Sequence, residues 1–142
     1  MFTLKVAAVV TILAFAISCS KQPSEKDAQS AVRDYIESSG AAGFSSDLCC
    51  KALGFYGYCG WVGHLQGFEI NSLSRAKTEP TSVDAYGKWD YDTVSHADVK
   101  FHVNCVENTS GSEQSVSRVK LFDLMWMETE NKWVVLKNSS PR

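Results

Sequence analysis

The hydrophobic pattern of this chain changes its period near Gly67, and that change most constrains its fold. Beyond it, apolar and polar side chains alternate in several segments, which is typical of strands with one buried face. We expect about five strands joined as antiparallel hairpins, at residues 68–71, 84–92, 98–105, 119–126 and 133–136. The polar segments between them are predicted to be loops, at residues 78–82, 108–115 and 129–132.

One amphipathic helix is predicted before the strands. Its apolar residues recur with the spacing of a single helical face, namely Ala28, Ala31, Val32, Tyr35 and Ile36. Ser24 and Asp27 have nearly the pattern of a capping box, and Gly40 ends the helix. A second, short helix is predicted at residues 47–53, with Asp47 as its cap. The sequence therefore predicts an α+β fold, with the first helix packed on an antiparallel sheet of about five strands.

The first eighteen residues have the layout of a secretory signal peptide. Lys5 is their only charge, an apolar run follows at residues 6–17, and the small residue Ser18 precedes Cys19. The apolar run is too short to span a bilayer comfortably. We therefore expect residues 1–18 to be removed, so that residues 24–142 form a single exported domain.

Four further cysteines, Cys49, Cys50, Cys59 and Cys105, predict two disulfides in an oxidising compartment. Neighbouring cysteines rarely bond to each other, so Cys49 and Cys50 should each take one of the other two. Alternation places Cys105 on the buried face of its strand. Zinc is the alternative, but the spacing lacks the pair of cysteines two residues apart that zinc knuckles use.

Residues Ala16, Ile17, Ser18 and Cys19 resemble the bacterial lipobox, although its first position is usually Leu. The resemblance implies a bacterial envelope lipoprotein in which Cys19 is acylated, becomes the first residue, and is joined to the domain by a short tether, residues 19–23. Ser20 stands where an Asp would signal retention at the inner membrane in enterobacteria. The resemblance thus favours the outer membrane, facing the periplasm. Ordinary cleavage and an uncleaved anchor are the alternatives.

The last predicted strand follows Lys132 and opens with Trp133-Val134-Val135, after an antiparallel run that one clear helix precedes. This order resembles the nuclear transport factor 2-like and cystatin-like domains of small envelope lipoproteins. The resemblance implies a curved sheet around the helix. In isomerase members of the first group, a carboxyl group lies in an apolar sheet pocket.

Charge excludes some partners. Without the leader, 13 basic and 16 acidic residues remain, a net charge of −3, and the basic residues form no cluster. This composition argues against nucleic acid and against electrostatic docking on anionic lipid. Stable membrane attachment would come from the acyl chains on Cys19. No cofactor is expected.

The histidines His64, His96 and His102 lack the spacings of metal or catalytic motifs. On one extended strand, His96 and His102 would lie about 20 Å apart, too far to share a metal ion. Alternation also separates His102 from Cys105, which argues against a cysteine nucleophile with a histidine base. We predict no catalytic residues and no metal site, with the histidines on solvated strand faces.

Asp123 interrupts the apolar run of residues 121–125. By the isomerase resemblance it would be a pocket carboxyl with a raised pKa. The alternative is a bulge or a sheet edge that turns Asp123 to solvent.

The segment at residues 55–61 combines glycine with Tyr56, Tyr58 and Trp61, the residue types that dominate protein interfaces. We predict that these three residues bind another envelope protein, and that the protein is a non-enzymatic, membrane-anchored lipoprotein. A secretion or assembly machine is one class of partner, and a secreted toxin neutralised by an immunity-type inhibitor is another. The alternatives are a lid packed on the core, a small-ligand or isomerase-like pocket in a cone-shaped sheet, and a purely structural lipoprotein.

Overall fold

The computed structural model describes residues 21–54 and 59–136. Two helices pack on one face of a five-stranded antiparallel sheet, so the predicted α+β fold is confirmed. The elements are α1 (Glu25–Ser39), α2 (Ala41–Leu53), β1 (Trp61–Leu73), β2 (Lys77–Val83), β3 (Trp89–Glu107), β4 (Glu113–Met127) and β5 (Lys132–Val135). The predicted leader, Cys19, Tyr56 and Tyr58 lie outside the described residues.

Helix α1 begins at the predicted capping box. The Ser24 hydroxyl accepts from the Asp27 N–H at 3.1 Å, and the Asp27 carboxylate accepts from the Ser24 N–H at 2.8 Å. These two bonds satisfy backbone donors that have no partner within the helix. The face that packs on the sheet is the predicted one, with Ala28, Ala31, Val32 and Ile36 buried.

Helix α2 is longer than the sequence predicts. The predicted start at Asp47 is wrong, because the helix begins at Ala41 directly after Gly40. Gly40 has φ +88°, which lets the chain change direction between two helices without a loop. In the first turn, the Ser45 hydroxyl donates to the Ala41 carbonyl at 2.8 Å, and Asp47 instead pairs with Lys51 at 2.9 Å.

Strand β3 organises the sheet. Along one side, its first half pairs with β2 and its second half with β1, so β1 and β2 lie end to end. Along the other side it pairs with β4, which in turn pairs with β5. The segments 84–92 and 98–105 were expected to be separate strands, but from Trp89 onward they form one continuous strand. Strand β4 is an inner strand, since it lies between β3 and β5.

The predicted loop at residues 78–82 is instead strand β2. Proline is tolerated there because β2 is an edge strand that pairs with β3 alone, with a register shift between Pro80 and Ser82. The chain then turns at Asp84, whose carboxylate accepts from the backbone N–H groups of Tyr86 and Lys88, each at 2.9 Å.

The core lies between the helices and one face of the sheet. Phe101 is at its centre, in edge-on ring contact with Phe44 and Phe122 at 5.0 and 5.9 Å between centroids. Cys49 of α2 bonds Cys105 of β3, and Cys50 bonds Cys59. This is one of the two pairings that the sequence leaves open. Both Cys49 and Cys105 are fully buried, which confirms the predicted position of Cys105.

Candidate functional site

Trp61 is the member of the predicted aromatic surface whose position is described. It is the first residue of β1, pairs with Glu107 of β3, and is half-buried against the core. The Cys50–Cys59 disulfide fixes the segment just before it to α2. Trp61 therefore offers a partner only part of its ring, while Tyr56 and Tyr58 lie outside the described residues.

The exposed aromatic side chains within residues 21–54 and 59–136 all lie on the β2–β3 hairpin. Tyr86 is 96% exposed, Tyr91 61% and Trp89 52%, and Val83 beside them is 51% exposed. Val83 pairs with Trp89, and Tyr91 follows two residues later on the same face of the strand. We call these four side chains the hairpin patch.

The other face of the hairpin is polar. The Ser82 hydroxyl donates to the Asp90 carboxylate at 3.1 Å, and the Thr81 hydroxyl donates to the Asp92 carboxylate. These bonds join β2 to β3 through side chains, in addition to the backbone ladder. The hairpin is therefore a two-faced ribbon, aromatic on one side and acidic on the other.

The alternation of Trp89 and Tyr91 with polar residues is evident in the sequence, but the prediction that their face is buried is wrong, because both side chains are exposed. We read the apolar positions of segment 84–92 as a buried face, because strands with this pattern usually cover a core. The helices stop short of the hairpin, so the same face is exposed there. A signal for exposure was present, since Asp84, Lys88 and Asp90 place charges at close intervals around the aromatic residues.

Asp123 lies on the sheet face opposite the helices, where it contacts a histidine. Its carboxylate is 2.6 Å from His96 Nδ1, and the carboxylate of Glu79 is 3.0 Å from His96 Nε2. The three residues come from β4, β3 and β2 respectively. We call this arrangement the carboxylate–histidine bridge.

The bridge changes the protonation of His96. Partial burial alone would lower the pKa of the imidazole, but hydrogen bonds and charge from Glu79 and Asp123 outweigh it, so the pKa lies above its ordinary value. Both ring nitrogens already face carboxylates, so neither is free to take a proton from a substrate. The arrangement can hold three strands together, and it lacks the free nitrogen of a general base.

Neither interpretation of Asp123 from the sequence includes its histidine partner. Asp123 is in regular register with His96, so no bulge turns it outward. Glu79 could not be placed because its segment was predicted to be a loop, and the pairing of His96 with Asp123 depends on a register that the pattern does not fix. His102, on the same face, lies 2.9 Å from the Ser117 hydroxyl, and His64 is exposed on β1.

Two cavities lie beside α1. The larger, about 590 Å³, opens between α1 and the β4–β5 hairpin and is lined by Tyr35, Met125 and Trp133. Its cation Lys132 pairs with Glu130 at 3.1 Å and with Asp34 at 3.8 Å. The smaller, about 470 Å³, lies between α1 and the bulged middle of β1. Asp123 lines neither cavity.

Within residues 21–54 and 59–136, no group of three or more His, Cys, Asp or Glu side chains is arranged so that it could hold a metal ion. None of the helices in the same ranges is long and apolar enough to cross a bilayer.

The start of the described chain is fixed to the sheet. The Gln22 side chain accepts from the Ala76 N–H at 2.7 Å and donates to the Ala76 carbonyl at 3.3 Å. The ammonium group of Lys21 lies 4.8 Å from the centre of the Trp126 ring. Residue 22 is therefore held next to the first residue of β2, at the base of the hairpin.

Comparison with known proteins gives no relative: no family model matches the chain, and no curated protein or solved structure is significantly similar to it.

Proposed function

We propose that this protein is a non-enzymatic lipoprotein of the bacterial envelope, anchored through acyl chains on Cys19 and binding another envelope protein. The observation that carries the proposal is the fixed position of Gln22. Gln22 is three residue steps from Cys19, a reach of about 11 Å when fully extended. An acylated Cys19 would hold the domain against its membrane.

The proposal that the protein is not an enzyme is supported by the surroundings of two of its histidines, His96 and His102. His96 is engaged on both sides by carboxylates. His102 has a hydroxyl partner: its Nδ1 lies 2.9 Å from the exposed Ser117 hydroxyl, and its Nε2 lies 3.7 Å from Glu69. This group lies on the outer face of the sheet and lines neither of the two cavities, so within the described part of the chain it has no enclosed place for a substrate.

The segment at residues 55–61 is our proposed contact surface for the protein partner. Trp61 pairs with Glu107, whereas Gln22 is held at Ala76, two residues after Ser74, whose N–H donates to the His96 carbonyl. Eleven residues of β3 separate these two levels, about 36 Å along the strand. A partner approaching from the periplasm would meet Trp61 at the end of the domain away from the membrane; Tyr56 and Tyr58 are proposed as contacts from the sequence alone.

The test has two parts, beginning with the anchor. Intact mass and peptide mapping of the full-length protein from native membranes should show acyl groups on Cys19, and Cys19→Ala should lack them. Crosslinking in those membranes should then give a discrete adduct that the folded Tyr58→Ala/Trp61→Ala variant lacks. Val119→Ala is the matched control, because it truncates an exposed apolar side chain elsewhere. An identical set of adducts in all forms would contradict the proposed contact surface.

A small-ligand site is the second candidate, and the 590 Å³ cavity favours it. Its volume is in the range of small-molecule sites, and its aromatic walls resemble those of such sites. Native mass spectrometry of the protein purified from cells should show a bound small molecule if this function is correct. Tyr35→Ala should then lose it.

A further inference from the structure

We propose that the hairpin patch docks in the headgroup region of a zwitterionic phospholipid bilayer, and so sets the orientation of the domain on its membrane. The inference rests on the anchoring of Cys19 that is proposed above. The surface concerned is the hairpin patch, formed by Val83, Trp89 and Tyr91 on one face of the β2–β3 hairpin and by Tyr86 in its turn.

The side chains in the patch are those that bilayer interfaces favour. Tyr and Trp are enriched at the headgroup level because they combine an apolar ring with a polar group that stays hydrated. Tyr86, Trp89 and Tyr91 are each more than half exposed, although these residue types are usually well buried in a soluble domain. Elsewhere in the described ranges, the exposed large apolar residues are aliphatic: Val62, Val119 and Leu121.

The two faces of the hairpin match the two sides of such an interface. Because Trp89 and Tyr91 alternate with Asp90 and Asp92, the aromatic face can enter the headgroup region while the carboxylates remain in water. The hydroxyl groups of Ser82 and Thr81 already bond these carboxylates. Burying the aromatic face would therefore leave the side-chain bonds of the polar face intact.

The position of the tether brings the hairpin to the membrane. Gln22 is fixed beside Ala76, at the base of the hairpin, and the anchor point can lie no more than about 11 Å from it. From Val94, at the base, to Gly87, in the turn, the hairpin extends about 23 Å along the strand direction. Because the hairpin is longer than the tether, it can reach the bilayer while Cys19 is anchored there.

Charge decides which lipid surface is suitable. Between Lys77 and Val94 the hairpin has four acidic and two basic residues, a net charge of −2. An anionic bilayer would repel this charge, and the repulsion would be screened by salt. The patch should thus bind zwitterionic lipid more strongly than anionic lipid.

The test uses the acylated, full-length protein reconstituted in phosphatidylcholine vesicles, with and without bromine on the acyl chains. Bromine quenches tryptophan fluorescence only at close range. We expect quenching in the wild type, loss of most of it in Trp89→Phe, and retention in Trp61→Phe, whose ring is at the other end of β3. Adding phosphatidylglycerol at low salt should weaken the quenching.

A double variant tests whether a fall in Trp89 quenching could come from unfolding instead of from loss of membrane contact. Tyr86→Ser/Tyr91→Ser removes two exposed rings, so its thermal midpoint should stay close to that of the wild type. Its Trp89 quenching should nevertheless fall.

The outcomes separate the two proposals. Vesicle flotation with acylated Cys19, but equal quenching in wild type and Trp89→Phe, would overturn the docking and leave the anchor intact. A Cys19 without acyl chains would overturn the anchor and the docking together. If a photocrosslinker at Tyr86 captured a protein while Trp89 stayed unquenched, a protein partner would take the place of the membrane.

Discussion

At the scale of single residues, His96 connects β2 to β4 through two carboxylates. It lies between Glu79 of β2 and Asp123 of β4, and its pKa in the folded protein is above the ordinary 6.5. Because the pKa is raised on folding, the stabilising contribution is fully present below the unfolded pKa of about 6.5. It is lost as the pH rises through the folded pKa.

This gives a pH-dependent prediction. His96→Gln should lower the free energy of unfolding by about 1 kcal/mol or less near pH 5.5, since half-exposed ion pairs are individually weak. The difference from the wild type should shrink as the pH rises above 6.5. Urea unfolding at several pH values measures it, and His102→Gln is the matched control on the same strand face. A difference that grows with pH would contradict the bridge.

The same three residues show what the sequence can and cannot provide. Asp123 stood out because it interrupts an apolar run, and His96 because histidine titrates near neutrality. Their contact depends on strand register, which period-two alternation leaves open. Glu79 could not be predicted as a partner of His96, because Pro80 beside it indicates a loop unless the strand is known to be at the edge of a sheet.

At the scale of elements, the packing of α2 on β1 depends on a residue without a side chain. A Cβ at Gly63 would collide with the backbone carbonyl of Ser45 in α2. The Gly63 N–H also donates to the Ser46 hydroxyl at 3.1 Å. The helix and the strand are thus in backbone contact at this point, next to the Cys49–Cys105 disulfide, because Gly63 pairs with Cys105.

Gly63→Ala is therefore expected to destabilise the protein. Backbone must move to admit the methyl group, at a cost of about 1–3 kcal/mol in the free energy of unfolding. Gly67→Ala is the control on the same strand, since a Cβ there meets no atom within 4 Å. Denaturant unfolding of both variants under oxidising conditions makes the comparison. Equal effects at the two sites would contradict the close contact.

The elements also differ in how accurately the sequence predicts their bounds. Helix α1 was predictable because its cap, its apolar face and its final glycine all agree. The predicted helix at residues 47–53 is too short, because Gly43 and two serines near the start of α2 are residue types typical of loops. In the structure, burial of Phe44 and Ser45 stabilises this first part of the helix. The sequence predicts two strands in place of β3 because the alternation of buried and exposed residues breaks down at residues 93–97. Val94 and Ser95, which are neighbours there, are both buried.

At the scale of the whole molecule, the two disulfides lie at one end of the sheet and the tether and hairpin at the other. They differ in loop length, with separations of 56 residues for Cys49–Cys105 and 9 for Cys50–Cys59. The chain-entropy relation gives about 4 and 3 kcal/mol, respectively. They also differ in exposure, since Cys59 is exposed and the longer-range pair is buried.

Reduction should follow that difference. In a titration with reductant, Cys50–Cys59 should open first, and mass spectrometry after thiol alkylation identifies the pair. Cys50→Ala/Cys59→Ala should lower the free energy of unfolding less than Cys49→Ala/Cys105→Ala, which also leaves a cavity in the core. The opposite order of reduction would show that exposure does not control access to these bonds.

The length of the tether should control how strongly the hairpin contacts the bilayer. Ten Gly/Ser residues inserted after Ser20 would raise the typical reach to about 20 Å, which lowers the effective concentration of the patch at the surface. Trp89 quenching by brominated phosphatidylcholine should therefore fall, while flotation with vesicles persists because Cys19 keeps its acyl chains. The same ten residues added after Arg142 are the control and should change neither quantity. Unchanged quenching after the internal insertion would mean that the hairpin binds lipid without help from the tether, so that the anchor and the patch act independently.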